Sequence, residues 1–184
     1  MSVERVCFSA RLFVTVSLRV SLHARTLTHL FARIYTAPNG KIYCVPKKAD
    51  QIGVIDPSLS REIAFSVIDV QHVTTEDHKY SGAVLGSDGN IYFAPMRAPG
   101  IGILNPSSGV FSSFYIDDQF SENEQQSKFV GASLGPNGKI YFVPATFVPW
   151  IGVFDPGNHK PVYKVNGGVL PDSWRVLLAP QHNP

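Results

Sequence analysis

Two cysteines in 184 residues, Cys7 and Cys44, are too few for a disulfide framework, and neither sits in a CxxC or a His-rich neighbourhood of the kind a metal site uses. That scarcity fits a reducing compartment. A large charge excess is missing too, since 16 Lys plus Arg face 14 Asp plus Glu. The surplus sits in residues 1–30, where Arg5, Arg11, Arg19 and Arg25 oppose Glu4 alone, so the rest of the chain has no basic stripe for nucleic acid. No apolar run approaches the roughly 18 residues of a membrane-spanning helix, and the chain reads as soluble with no membrane contact. Catalytic signatures are lacking as well: there is no HExxH, P-loop, GxGxxG or Ser-His-Asp constellation, and no cofactor is evident. What remains, 44% hydrophobic and 16% charged, is globular composition.

A repeat fills this frame. Gly40-Lys41-Ile42-Tyr43-Cys44-Val45-Pro46 returns as Gly89-Asn90-Ile91-Tyr92-Phe93-Ala94-Pro95 and as Gly138-Lys139-Ile140-Tyr141-Phe142-Val143-Pro144, at intervals of 49 residues. Ile52-Gly53-Val54-Ile55-Asp56-Pro57 travels with it, returning from Ile101 and from Ile151 at intervals of 49 and 50.

Each unit reads as four short strands. In the middle one, strand a is Tyr80 to Leu85, and Gly86-Ser87-Asp88-Gly89 turns the chain through the positive φ that Asp-Gly and Asn-Gly tolerate. Strand b is Asn90 to Ala94, ended by Pro95, which has no N–H for the ladder. Strand c is Ile101 to Leu104, and a turn from Asn105 leads to strand d, Val110 to Ile116. Strands b and c are apolar without alternation, so both of their faces are covered. Four-stranded antiparallel sheets covered on both faces and repeated about every 49 residues predict an all-β, propeller-like array. Recurrent Asp56, Asn105 and Asp155 read as turn formers, and Tyr43, Tyr92 and Tyr141 as packing between blades. Cys44, in the place of Phe93 and Phe142, reads as a core residue and a poor nucleophile.

The units are expected at about residues 31–79, 80–127 and 128–165, making a repeat domain of 31–180 whose last part, 167–180, matches strands a and b and forms a partial fourth blade. Residues 1–30 keep three readings. Val14 to Leu22 alternates like a half-exposed strand and could latch the ring; the Arg-rich, acid-poor stretch could be a transit peptide, with mitochondrial targeting; or the start is disordered or mis-assigned. Closure within one chain, a homodimer completing the ring, and membership of a longer propeller all stay open.

The sequence of glycine, Ile-Tyr, proline and then Ile-Gly-Val-Ile-Asp-Pro resembles the repeats of the propeller group that includes streptogramin-lyase-like, strictosidine-synthase and gluconolactonase-like proteins. The resemblance covers about residues 31–180. It implies the fold but not one activity, because the group holds lyases, lactonases and binding modules. WD40 and kelch signatures do not appear.

Connectivity sorts the loops into two sets. The a–b and c–d turns lie on one face and are constant, whereas the b–c loops (47–51, 96–100, 145–150) and d–a loops (69–79, 117–127) lie on the other and vary. The expected function is a non-catalytic binding or interaction module that offers this variable face to a protein or small-molecule ligand. Lys47, Lys48, Met96, Arg97, Asp117, Asp118, Phe147 and Trp150 are its candidate contacts, and Glu122 and Glu124 extend the acidic cluster. The alternative is a metal-assisted lyase or lactone hydrolase, for which His72, Glu76 and His78 are the candidate ligands of a divalent metal. The histidine loop and the acidic cluster also read simply as solvated loop positions, and Phe147 and Trp150 as residues that cover the channel mouth.

Overall fold

A computed structural model of the chain describes residues 30–60, 64–146, 148–157 and 160–166, with side chains given up to 157 except at 147. The predicted N-terminal strand, the partial fourth blade, Cys7 and Phe147 lie outside these residues. Strands β1 (Phe31–Thr36), β2 (Ile42–Pro46), β3 (Gln51–Ile55) and β4 (Phe65–Asp69) form one antiparallel sheet in chain order. The same order builds a second sheet from β5 (Tyr80–Leu85), β6 (Ile91–Pro95), β7 (Gly100–Leu104) and β8 (Phe111–Tyr115). A third holds β9 (Phe129–Leu134), β10 (Ile140–Pro144), β11 (Trp150–Asp155) and β12 (Lys160–Asn166). Between β1 and β12 the described residues hold a 3-10 turn at Asp117–Gln119 and one short helix, α1 (Glu122–Gln125), both between β8 and β9. The fold is all-β and propeller-like.

One correction concerns the prolines. Pro46, Pro95 and Pro144 do not stop short of the ladder; each is the last residue of its strand, opposite Phe31, Tyr80 and Phe129. The register slips beside each of these pairs, and such an irregularity admits a residue that has no N–H to give.

In all three sheets a hydrogen bond joins the constant turn to the tyrosine four residues on, with the donor reversed in the second. Asn39 and Asn137 donate from Nδ2 to the hydroxyls of Tyr43 and Tyr141 at 3.0 and 2.9 Å, and Tyr92 donates to Asp88 at 2.7 Å. Each turn residue also accepts the N–H two residues on, from Lys41, Asn90 and Lys139. The glycines that close these turns, Gly40, Gly89 and Gly138, have φ near +80°, between +75° and +83°. In the first and third sheets Lys41 meets Asp56 at 3.5 Å and Lys139 meets Asp155 at 4.0 Å, tying the a–b turn to the c–d turn.

Packing between sheets carries the interior. Each sheet has a rear face toward its predecessor and a front face toward its successor. The front of the first sheet (Tyr43, Val45, Ile52, Val54) packs on the rear of the second (Tyr80, Ile91, Phe93, Leu104, Phe111). The front of the second (Tyr92, Ala94, Ile101) packs on the rear of the third (Phe129, Ile140, Phe142, Phe154). Near the centre the inner strands come close enough for Ser81 to donate its hydroxyl to the Phe129 carbonyl at 2.8 Å. A Cβ on Gly102 would lie 2.8 Å from the Phe111 ring and 2.9 Å from Tyr80, which explains why glycine follows the first isoleucine of this strand.

Tyr80 is fully buried, burial pushes its phenol well above the ordinary range, and its hydroxyl has no hydrogen-bond partner among the described residues. Phenylalanine occupies the same repeat position at Phe31 and Phe129. Tyr80→Phe is therefore expected to leave urea-unfolding stability unchanged or raise it by about 1 kcal/mol, the scale of a buried unsatisfied hydroxyl. Gly102→Ala, by overpacking the same joint, should lower it by about 1–3 kcal/mol. Equilibrium denaturation of the two variants checks both signs.

Candidate functional site

Backbone hydrogen bonds stitch the variable loops into one surface. Lys79 N–H donates to the Lys47 carbonyl at 2.8 Å, Met96 and Ala98 donate to the Lys79 carbonyl, Arg97 donates to His78, and Lys128 donates to Met96 at 2.9 Å. Ala145 continues the chain by donating to Lys128. The b–c and d–a loops of successive sheets thus interlock, and their side chains are held relative to one another by main chain.

Two lysines that the sequence reading did not single out sit under this surface. Lys79 and Lys128 occupy equivalent positions immediately before β5 and β9, and their side chains are 1% and 0% exposed. Lys79 reaches Asp50 at 3.1 Å, and Lys128 reaches Asp117 at 2.8 Å. Lys128 also donates to the Arg97 and Gln125 carbonyls at 3.3 and 3.5 Å and lies 5.7 Å from the centre of the Phe120 ring. Burial lowers the Lys128 ammonium pKa, and the Asp117 carboxylate beside it pulls that value partly back. The available signal was recurrence: a lysine directly before a buried aromatic, twice, at the repeat interval.

The loops form an open cleft of about 240 Å³ lined by Val73, Thr74, Thr75, Glu76, Arg97, Pro99 and Asp117, the last of which is the ion-pair partner of Lys128. Its walls come from both d–a loops and from the b–c loop of the second sheet. Thr74 is buried, while Glu76 and Arg97 are exposed at the rim. One carboxylate oxygen of Asp117 contacts Lys128 and finds no hydrogen-bond donor aligned to it among the described residues.

The remaining candidates are distributed around this cleft. Lys47 and Met96 contribute mainly their backbones, and Lys48 is ion-paired with Asp77 at 3.6 Å. Arg97 Nε donates to the Gln126 carbonyl at 3.2 Å. Asp118 and Glu122 are exposed. Glu124 accepts from Ser121 in the α1 capping box and from Trp150 Nε1 at 3.1 Å. Trp150 is 4% exposed and packs on Phe120 and Phe129, so the structure places it inside the joint between the second and third sheets instead of on the variable loop surface.

His72, Glu76 and His78 share a loop but not a centre. His72 Nε2 lies 3.0 Å from the Phe111 carbonyl, and His78 has φ 59° and a buried Nδ1 without a hydrogen-bond partner among the described residues. Burial first, then the charges of Lys47, Arg97 and Lys48, lower the His78 pKa. Among the described residues no three His, Cys, Asp or Glu side chains gather as a metal ion would require, and no helix is long and apolar enough to cross a membrane.

The fold falls in the propeller class that the repeats resemble. Virginiamycin B lyase from Staphylococcus aureus superposes with a TM-score of 0.55 at 21% identity, over 73% of this chain and 41% of the lyase chain. The inactive H270A form of the same enzyme, with quinupristin, superposes at 0.57 and 19% identity, over 76% of this chain and 43% of that one. An extracellular domain assigned to a hybrid two component system of B. thetaiotaomicron gives 0.55 at 14% identity, over 75% of this chain and 18% of that one. The chain spans about two fifths of the length of the lyase chains it matches, and at these identities the likeness is one of fold. No protein-family model and no curated protein sequence matches the chain.

Two outcomes follow from the buried groups. Asp117→Asn removes the counter-charge of a fully buried ammonium and should cost about 3 kcal/mol, the lower end for breaking a buried pair because Asp117 keeps 17% exposure. The sign with pH is fixed by Lys128: a base whose folded pKa lies below its unfolded value of 10.5 destabilises the fold while protonated. Stability then recovers as pH rises from the folded pKa toward the unfolded one. Losing Asp117 lowers the folded pKa further, so the variant should regain stability over a wider alkaline window than the wild type in pH-resolved melting curves. Cys44 is buried, and burial pushes its thiol up to about 11. In a Cys7→Ser background, thiol reagent at pH 8 should label the protein only as fast as it unfolds.

Proposed function

We propose that the chain is a non-catalytic binding module whose variable loop face takes a small polar ligand in the cleft between residues 73–76, Arg97, Pro99 and Asp117. The observation that carries this reading is the cleft itself, about 240 Å³ built where three loops from two successive sheets converge. That volume lies just below the roughly 300–1,000 Å³ of drug-sized pockets and suits a molecule of amino-acid or monosaccharide size. Arg97 and Glu76 supply opposite charges at the rim, Thr74 and Thr75 supply hydroxyls, and Val73 and Pro99 supply apolar wall. The interlocked main chain beneath holds these groups in place before any ligand arrives, which lowers the ordering cost of binding.

The test is a two-dimensional NMR screen of the full chain against free amino acids and monosaccharides at millimolar concentration. Shifts confined to residues 73–76, 97–99 and 117, lost in Arg97→Ala at an unchanged melting temperature, are expected. No response from any compound would sink the reading. So would turnover of a hit that stops on changing His72, Glu76 or His78, which would favour the lyase or hydrolase instead.

A further inference from the structure

The three sheets are alike, but their surroundings are not. On the front of the second sheet Tyr92, Ala94 and Ile101 are all fully buried, because the rear of the third sheet covers them. One repeat later the same front positions on the third sheet are Tyr141, Val143 and Ile151. There Val143 is 53% and Ile151 44% exposed, with Val130 beside them at 38%. The other end of the array mirrors this. On the rear of the second sheet Tyr80, Phe93 and Phe111 are buried against the first sheet. On the rear of the first sheet Ile34, Phe65 and Val67 are 54%, 38% and 47% exposed.

Both ends are therefore apolar, and they are complementary halves of one kind of joint. A front face of this repeat accepts a rear face, and the chain makes that joint twice within itself, between the first and second and between the second and third sheets. Among the described residues the exposed front belongs to the third sheet and the exposed rear to the first. We propose that the occupant of each is a second copy of this chain: the rear of one copy's first sheet seats on the front of the other's third sheet, and the reverse joint closes the ring.

Such a head-to-tail contact is heterologous and stays finite only if the rotation closes. The described residues of two copies supply six sheets, within the range of about four to eight for closed propellers. Two matched regions also amount to more than four fifths of one lyase chain of the same fold. A partner of this shape buries both end faces at once.

Sedimentation velocity of the full chain over a range of concentrations, with Val143→Lys and Val67→Lys on the two faces, tests this. Both sites are about half exposed, so the folded monomer has room for either lysine. The wild type should sediment at twice the chain mass, and each variant should raise the dissociation constant at least tenfold while keeping the β circular dichroism spectrum. Mixing the two variants should restore part of the dimer, because one of its two joints then consists of unaltered faces. If a lysine variant fails to fold, Val143→Thr and Val67→Thr replace the pair. A monomer at every concentration, as expected if the chain's own remaining residues cover the faces, would overturn the proposal. So would a dimer indifferent to both changes, or one weakened by only one of them.

Discussion

Everything in this architecture depends on one constraint: strands b and c are apolar on both faces, so no sheet is satisfied until it has a neighbour on each side. Fully burying a side chain of the size of Phe93 or Ile101 contributes about 1.5–3 kcal/mol, and the middle sheet buries a full row of them on each face. A lone sheet of this sequence would leave half of that row in water. The repeat therefore specifies an array, and the array in turn brings the loops between sheets together on one surface. Packing comes first here, and the candidate site is its by-product.

The same constraint accounts for the buried lysines. Positions 79 and 128 enter the inner strands directly ahead of Tyr80 and Phe129, which are anchored in the joints. Their backbones are committed to the inter-sheet ladder, donating to Lys47 and Met96 and accepting from Met96 and Ala145. The side chains must then lie between the loops, and each ammonium is satisfied by the carboxylate nearest it, Asp50 or Asp117. Asp117 in this way belongs both to the support of the surface and to the wall of the cleft. Occupancy of the cleft and the electrostatics of Lys128 are for that reason coupled through one side chain.

Strand identity was legible in the residues because the repeat averages over local ambiguity. Strand a of the middle unit, expected at Tyr80 to Leu85, is found at those residues, and the b, c and d strands fall within one residue of expectation at either end. The turn residues were legible for the same reason: Asp56, Asn105 and Asp155 each accept the N–H two residues ahead. What could not be read was how side chains from non-repeating loops are shared out. Trp150 stands apart from its repeat counterparts, and that difference looked like a surface device, yet α1 and Phe120 fill the space over the joint and draw the indole inside. The acidic run at 117–124 looked like one cluster, but Asp117 serves Lys128 and Glu124 serves the α1 cap and Trp150.

Variation among the repeats is itself physical evidence when two positions change together. The first and third units carry Lys41 with Asp56 and Lys139 with Asp155, and each pair ties the a–b turn to the c–d turn. In the second unit both members differ, to Asn90 and Asn105, and the two turns are held locally instead, by Asp88 accepting from Asn90 and Tyr92 and by Asn105 accepting from Ser107 and Ser108. A single exchange would have left a lysine facing an amide or a carboxylate without its cation. Paired exchange avoids both mismatches on the constant face. Charge that reaches between sheets is instead found under the variable loops, where Lys128 of the third unit meets Asp117 beyond the last strand of the second. The two faces are thus distinguished by more than loop length: on the constant face the ion pairs Lys41–Asp56 and Lys139–Asp155 lie within a sheet, with Ser87 donating to the Gly138 carbonyl at 3.5 Å across one joint, whereas under the variable loops the Lys128–Asp117 ion pair itself crosses a joint.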